Sequence, residues 1–353
     1  MAAKQSVIVV GSGIIGASIA WHLARNGAAV TVVAEDEGGV ATPCSFAWIN
    51  ASWGNPEFYF RFRQRAMAEW RRLTTELPDL PLAWCGGLCW DLPPRDLEAF
   101  ATEHIGWGYG IDRIDGNAVR AREPYLANLP DLALSVAEEG AVEPVAAALV
   151  MLSDAKARGA TFVNAAVHSL IRTGERISGV VTSSGLLEAD HIVLATGAGT
   201  APLTAAIDLH IPIDTPPGLI VHSRPHARRL TGLVMAPELH MRQTADGRII
   251  AGSDFGGADP GQDQQATAEA LFDKLRGSLL DSPSLAMDFF TVGYRPTPKD
   301  GFPIIDTACK GLYIAVMHSG VTLAPLAGLL ASNEILTGER DAALVPFALS
   351  RFS

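Results

Sequence analysis

Six residues near the start of the chain, Gly11-Ser12-Gly13-Ile14-Ile15-Gly16, have the types and spacing needed to hold a phosphate. The pattern is G-x-G-x-x-G, set between a β-branched run, Ser6–Val10, and a helical pattern from Ile14 to Arg25. Gly11 allows the tight turn, Gly13 lets the backbone approach a pyrophosphate, and Gly16 brings helix close to strand. The helix N-terminus adds free N–H groups and partial positive charge. An acid about 20 residues further on would bind ribose hydroxyls, and Glu35 and Asp36 stand there, just past a second apolar strand, Ala29–Val33. The turn by itself does not separate one dinucleotide from another. Other chemistries find no footing. There is no H-E-x-x-H, and His222 and His226 are separated by a segment containing Pro225, which works against a shared helical face. No G-x-S-x-G elbow is present. Cys44 and Cys309 stand alone and Cys85 and Cys89 have no second pair, so no metal site and no disulfide framework are expected.

The elements that position this turn recur along the chain. With 353 residues, 48% of them hydrophobic and 18% charged, there is material for a large core in two domains or one two-lobed unit. The net charge of -11 repels phosphate backbones, which argues against nucleic acid as a partner. Pro56 to Leu77 reads as a helix, with Phe62, Ala66, Trp70, Leu73 and Leu77 near helical spacing. Its other faces carry Arg61, Arg63, Arg65, Arg71 and Arg72, a solvated face or a docking patch for an acidic partner. Pro78 to Ala141 is rich in Pro, Gly and Trp and reads as short strand-like pieces. Ala146–Arg158 is helical, and short strands follow at Thr161–Val163, Ala166–Ile171, Ile177–Thr182 and His191–Ala195. Residues 211–292 alternate strands and turns, with a hairpin signal at Ala245-Asp246-Gly247-Arg248 and one helix around Ala266–Leu280. The chain returns to strand at Leu312–Val316 and helix at Thr322–Leu336. The apolar stretch Leu312–Leu336 contains His318, Pro325, Asn333 and Glu334 and makes a poor membrane span. We expect no transmembrane segment and a cytoplasmic protein.

Four ordered segments carry a resemblance. Val7–Asp36 is similar to the N-terminus of the D-amino-acid oxidase-like FAD-dependent oxidoreductases, the group containing glycine oxidase and sarcosine oxidase. Ile192-Val193-Leu194-Ala195-Thr196-Gly197-Ala198-Gly199 resembles that family's second FAD-contacting strand and turn. The segment from Gly293 through Arg295, Pro296, Asp300 and Gly301 to Ile305 is similar to its G-x-R-P-x-T-x-D-G-x-P-x-I stretch. Gly311–Ala315 and His318–Pro325 match its C-terminal strand, turn and helix. The implied fold class is α/β (α+β overall): a Rossmann-like FAD-binding domain with an inserted antiparallel β-rich substrate domain. We expect the first from residues 1–80, 142–210 and 290–353, and the second from 81–141 and 211–289.

The resemblance also assigns roles. Gly11, Ser12, Gly13, Ile14, Ile15 and Gly16 would hold the pyrophosphate of FAD, with Glu35 and Asp36 toward the ribose. The family's usual acid aligns with Ala34, so Glu35 would work from one residue later. Val167 would give the adenine its backbone contact, and Thr196, Gly197 and Gly293 would approach the cofactor. Thr42, Ser45 and Phe46 fall where the family's loop passes the phosphates and the flavin. Gly320, Val321, Thr322 and Leu323 would turn a helix N-terminus toward flavin N1 and O2, where negative charge develops on reduction. No cysteine near Val292-Gly293 matches the covalent attachment of monomeric sarcosine oxidases, so FAD is expected to be non-covalent. Arg295 would grip a substrate carboxylate with two charge-assisted bonds; an arginine paired to Asp300 is the alternative. His318 would contact substrate or flavin. The loop Cys44–Ala51 lacks the arginines some relatives carry there; Trp48 and Asn50, with Tyr59 and His240, would shape the pocket.

The expected activity is oxidation of the C–N bond of an amino acid or related carboxylated amine by hydride transfer to FAD, with hydrolysis of the imine. Oxygen or another acceptor would take the electrons. Two further readings stand: the FAD subunit of a hetero-oligomeric amino-acid or opine dehydrogenase, and a non-catalytic flavin-binding protein. A homo-oligomer or a partner subunit is left open.

Overall fold

The first strand, Ser6–Val10, is buried on both sides, and its residues alternate between two cores. Val7 and Val9 face a layer of helices; Ile8 and Val10 face a three-stranded antiparallel meander, Val167–Thr173, Arg176–Thr182 and Gly185–Glu188. The computed structural model describes residues 4–52, 54–253, 259–280, 282 and 284–352. The first strand lies within a six-stranded sheet in the order Ile304–Cys309, Leu312–Val316, His191–Leu194, Ser6–Val10, Ala29–Ala34, Thr161–Asn164. All of its pairings are parallel except that of Ile304–Cys309.

The helical layer joins distant pieces of sequence. The first helix, Ile14–Arg25, packs against the helix Pro144–Ala157 and the last helix, Gly320–Thr337. Small residues let the first and last helices approach closely. Ser18 Oγ donates to Ala324 O at 2.7 Å, and a Cβ on Gly328 would lie 2.2 Å from Ser18 Oγ. Pro325 lies inside the last helix and offers no N–H to the carbonyl four residues earlier. That carbonyl, Val321 O, accepts instead from Trp70 Nε1 at 3.0 Å. The helix Glu57–Glu76 is thereby tied to the last helix where Pro325 interrupts the backbone ladder.

A second sheet of eight strands runs Met287–Tyr294, Pro217–Ser223, Ile249–Gly252, Leu239–Gln243, Leu233–Ala236, Gly87–Cys89, Ala133–Val136, Ile111–Ile114. Only the pairing of Leu233–Ala236 with Gly87–Cys89 is parallel. One face packs on the helix Gln264–Gly277 through Leu219, Val221, Met241, Ile249 and Ala251. The alternate residues Gly218 and Ile220 look the other way, into a cavity shared with the first sheet.

The hairpin expected at Ala245–Arg248 joins Leu239–Gln243 to Ile249–Gly252, with Gly247 at φ +89°. Between residues 78 and 141 the strand-like reading is incomplete. A helix, Pro94–Gly106, buries Leu97, Phe100, Ala101 and His104, and a shorter one spans Gly116–Arg122. Leu97, Phe100, Ala101 and His104 have helical spacing, and Pro94 stands in the first turn where a missing N–H costs nothing. No described helix is long and apolar enough to cross a membrane.

Candidate active site

The cavity encloses about 1390 Å³, above the roughly 300–1,000 Å³ of ordinary ligand pockets. One end lies at the carboxyl ends of the parallel strands, where Val10, Val33, Ala195 and Val316 reach its wall. This is the position at which open α/β sheets take ligands. Here the glycine turn is tightly built. Gly11 has φ +102°, and a Cβ there would fall 2.4 Å from Ala195 O. Gly13, Ile14 and Ile15 open on the cavity at the start of the first helix, and Thr42 Oγ1 accepts from Ile14 N–H at 3.1 Å. Glu35 and Asp36 line the same end, with Ser12 Oγ donating to Asp36 O at 2.5 Å. The N-terminus of the last helix, Gly320 to Thr322, opens on the cavity from another side.

Most residues singled out in the sequence meet here. Thr42, Ser45, Phe46, Val167, Thr196, Gly197, Gly293, Arg295, His318, Trp48, Asn50 and Tyr59 all line it. Three do not. Gly16 faces the turn, where a Cβ would lie 2.0 Å from Gly11 O, so its part is to let helix and strand touch. Leu323 points into the helical core with no exposure, its N–H donating to Ser319 O. His240 lies on a strand of the second sheet with Nε2 3.0 Å from Asp91 Oδ2, a buried polar pairing away from the cavity wall.

Among the described residues, three non-glycine residues have positive φ, and two of them, Ala47 and Ser319, line the cavity. Such backbone is held only where surrounding contacts over-determine it, and contacts of that kind surround both. Thr322 Oγ1 donates to Trp48 O at 3.0 Å and accepts from Asn50 N at 3.4 Å, stitching the loop after the second strand to the last helix. Arg242, almost wholly buried, donates to Phe46 O at 2.6 Å and pairs with Glu143. Ser319 Oγ lies 3.0 Å from His318 Nδ1.

The electrostatics set the part of the cavity around His318 apart. Burial, reinforced by the nearby guanidiniums of Arg295 and Arg63, lowers His318 to about 4, so the imidazole is neutral near pH 7. Asp300 accepts Arg351 on both carboxylate oxygens, at 2.7 and 3.0 Å. The thiol of Cys44, also on the wall, is pushed up by burial and is a weak nucleophile. No described group of His, Cys, Asp and Glu could hold a metal ion.

Two residues at or behind the wall stand outside the set expected from the sequence. Arg63, expected on a solvated face, is only 5% exposed and lines the cavity. Its place four residues after Tyr59, three before Ala66 and seven before Trp70 is a helical signal for the buried face. Glu139 has no local signal. It lies behind the wall, fully buried, accepting from Ser52 Oγ at 2.6 Å, Tyr109 OH at 2.6 Å and Trp48 Nε1 at 2.9 Å. The docking patch considered for the helix Glu57–Glu76 is largely consumed inside the molecule: Arg61 pairs with Glu57, Arg65 with Asp341, and Arg72 with Glu69 and Glu76.

Comparison with known proteins agrees with this geometry. Glycine oxidase of Pseudomonas putida is 27% identical over 366 residues, covering 95% of each chain. Glycine oxidase of Bacillus licheniformis is 26% identical, covering 95% of this chain and 94% of its own, and an opine oxidase component of Rhizobium meliloti is 24% identical, covering 99% and 98%. The crystal structure of L-proline dehydrogenase from P. horikoshii superposes with a TM-score of 0.87 at 23% identity, over 100% of this chain and 98% of that one, and shares the fold. The glycine turn opens into a cavity of about 1390 Å³, two helix N-termini face that cavity, and the family model for FAD dependent oxidoreductase matches residues 6–334. This chain therefore belongs to the FAD dependent oxidoreductase (DAO) family.

Proposed function

We propose that this enzyme oxidises the C–N bond of an amino acid or related amine that carries a carboxylate. The observation that carries the reading is the presence of Arg295 on the wall of the cavity that also contains the dinucleotide turn. Asp300 is engaged by Arg351, which supports assigning Arg295 to a ligand carboxylate rather than to that acid. A guanidinium fork on the carboxylate fixes the adjoining carbon. The positive charges of Arg295 and Arg63 disfavour a nearby ammonium, so the amine is held in its neutral form, and neutral His318 adds no charge. Trp48, Tyr59 and Phe302 line this end with aromatic surface that excludes water.

The FAD is non-covalent in this reading, held by residues 1–80, 142–210 and 290–353, with 81–141 and 211–289 completing the substrate side. Gly11, Ser12, Gly13, Ile14 and Ile15 hold its pyrophosphate, Glu35 and Asp36 its ribose, and Val167 its adenine. Thr196, Gly197, Thr42, Ser45, Phe46 and Gly293 flank it, and Gly320, Val321 and Thr322 face the ring. When bound, FAD supplies a two-electron acceptor for the substrate's carbon–hydrogen bond.

An anaerobic screen of D- and L-amino acids, N-methyl amino acids and cyclic imino acids, following the flavin band, tests the reading. At least one carboxylated amine should bleach the band stoichiometrically. Bleaching by none would leave only the non-catalytic alternative. Arg295→Met should keep the yellow cofactor and lose affinity for carboxylated substrates by about 2–5 kcal/mol; unchanged kinetics would move the anchor elsewhere. The opine oxidase relative, itself one component of a larger enzyme by its name, supports a second reading, in which a partner protein takes the electrons. A burst of peroxide from this chain alone would argue against it.

A further inference from the structure

We propose that Asn50 and Ser52 form a donor–acceptor pair of fixed polarity on the cavity wall. Asn50 gives an N–H to the substrate carboxylate, Ser52 takes an N–H from the substrate amine, and Arg63 and Glu139 are the positioning residues that set the two polarities. This rests on the reading of the substrate as a carboxylated amine and narrows it to amines that keep an N–H.

Trp48, Asn50 and Ser52 line the cavity, while Ile49 and Ala51 between them have no exposure. The alternation of the strand Trp48–Ile49 thus carries on through the next three residues and brings Asn50 and Ser52 to the same wall. Each is held by a charged group, and each charge dictates which hydrogen-bonding edge is left over. A guanidinium only donates. Arg63 Nη2 donates to Asn50 Oδ1 at 2.7 Å and Nε to Asn50 O at 3.1 Å, so the amide oxygen is taken and Nδ2, a donor, is the edge that remains. A reversed amide would set N–H against N–H. A carboxylate only accepts. Ser52 Oγ donates to Glu139 Oε1 at 2.6 Å, so the one serine proton is committed to that acid and the oxygen keeps two lone pairs. Tyr109 OH, which donates to Glu139 at 2.6 Å and also reaches Ser52, occupies no more than one of them.

The two charges attract one another, and Arg63 favours the ionised form of Glu139. Their charges offset across the loop, so what Asn50 and Ser52 offer a ligand is hydrogen-bond direction. A carboxylate has only acceptors and meets Asn50. A neutral primary or secondary amine has the N–H that meets Ser52. A tertiary amine has none and would set an alkyl group against Ser52 Oγ, leaving a buried acceptor without a donor from the ligand.

The test uses the FAD-loaded enzyme and two flat isosteres, pyrrole-2-carboxylate and 2-furoate. They share the carboxylate and differ at one ring position, N–H in the first and O in the second. Neither has a hydrogen on the carbon that bears the carboxylate, so neither can be oxidised there. Whatever holds the carboxylate acts on both and cancels in the ratio of affinities. In calorimetric titration at pH 8.5, pyrrole-2-carboxylate should bind about tenfold tighter, the difference between a hydrogen bond made and an acceptor left unpaired. Ser52→Ala should bring the ratio within about twofold, and Ser52→Thr should restore it. Asn50→Asp keeps an oxygen for Arg63 but replaces the N–H by a charge; it should weaken both probes about tenfold or more and leave their ratio in place.

The pH dependence shows whether Glu139 sets the polarity. The described charged and titratable groups that face it are Arg63 on the helix Glu57–Glu76, Tyr109 ahead of the strand Ile111–Ile114, and Cys89 on the strand Gly87–Cys89. Tyr109 and Cys89 are raised by burial and stay neutral, whereas burial raises Glu139 to about 7. At pH 5.5 Glu139 holds a proton on Oε1, because Oε2 accepts from Trp48 Nε1, and gives it to Ser52 or Tyr109. The serine proton is then no longer committed, and the ratio should fall toward one. A ratio unchanged at pH 5.5 would overturn the part given to Glu139. Equal wild-type affinities at pH 8.5, or a preference that survives in Ser52→Ala, would overturn the pair while leaving the carboxylate reading in place, and the wild-type ratio is readable whatever the variants' stability. Asn50→Asp without effect on either probe would remove Asn50 from the pair. Failure of both probes to bind would overturn the pair together with the carboxylate reading.

Discussion

Glu139 is the group whose removal tests the electrostatic reasoning most directly. It is fully buried behind Trp48 and Ser52, which line the cavity. Burial raises its carboxyl from 4.5 to about 7, against the opposing help of the Ser52, Tyr109 and Trp48 donors and the Arg63 charge. The fold therefore favours the neutral acid. Below pH 4.5 the folded and unfolded chains are both protonated and burial makes no pH-dependent difference. Between 4.5 and about 7 the folded protein keeps a proton that the unfolded chain gives up, so stability falls as pH rises. Above about 7 the whole penalty is present. At about 1.36 kcal/mol per pH unit it amounts to about 3 kcal/mol. Glu139→Gln keeps the size of the side chain and one carbonyl but cannot ionise. It sets an amide N–H against the Trp48 indole N–H, a pH-independent cost of about 1–3 kcal/mol. Urea unfolding of both proteins, saturated with FAD, at pH 5 and pH 8 measures the difference. Wild type should lose about 2–2.5 kcal/mol relative to Glu139→Gln between the two conditions, part of the penalty being already present at pH 5. Parallel profiles would refute the account, since they would mean that Glu139 ionises alike in the folded and unfolded chain.

Other outcomes follow from contacts already described. Trp70→Phe keeps the packing but leaves Val321 O, deprived of its helical partner by Pro325, without the indole donor; a loss of about 1–3 kcal/mol in urea unfolding is expected. Gly328→Ala puts a Cβ 2.2 Å from Ser18 Oγ and 2.7 Å from His22 Nδ1, so the first and last helices must part. It should cost about 1–3 kcal/mol and weaken FAD retention, measured by gel filtration of the yellow protein, because the first helix carries the glycine turn. His22 accepts from Arg72 on Nε2 and has Nδ1 2.8 Å from Ser18 O, the arrangement of a neutral ring protonated on Nδ1. Burial, only partly offset by the Ser18 carbonyl and reinforced by Arg72 and Arg25, lowers it to about 3. Stability tied to this residue is present above pH 6.5 and is lost as pH falls toward about 3, so His22→Gln should flatten the acid limb of the stability profile; an unchanged limb would exclude His22 as its source.

The division between what was readable and what was not follows the range of each interaction. The glycine turn, the buried parallel strands around it and the helix ends that face the cavity are local demands. A φ of +102° at Gly11, or a strand buried on both faces, calls for particular residue types at that position in the chain, and those types are visible without the fold. Arg63 was legible in part, because helical spacing alone places it beside Tyr59, Ala66 and Trp70; what the spacing could not say is that this face looks into a cavity rather than into apolar core. His240 and Leu323 show the opposite case, residues of suitable type whose side chains the packing turned elsewhere. Glu139 was illegible. Its role depends on Trp48, 91 positions away, and on Ser52 and Tyr109, brought to it from other segments. Residue types along the chain thus determined that a dinucleotide would be cradled. Only the tertiary structure decided which charges would be buried beside it, because desolvation depends on neighbours that the order of residues does not bring together.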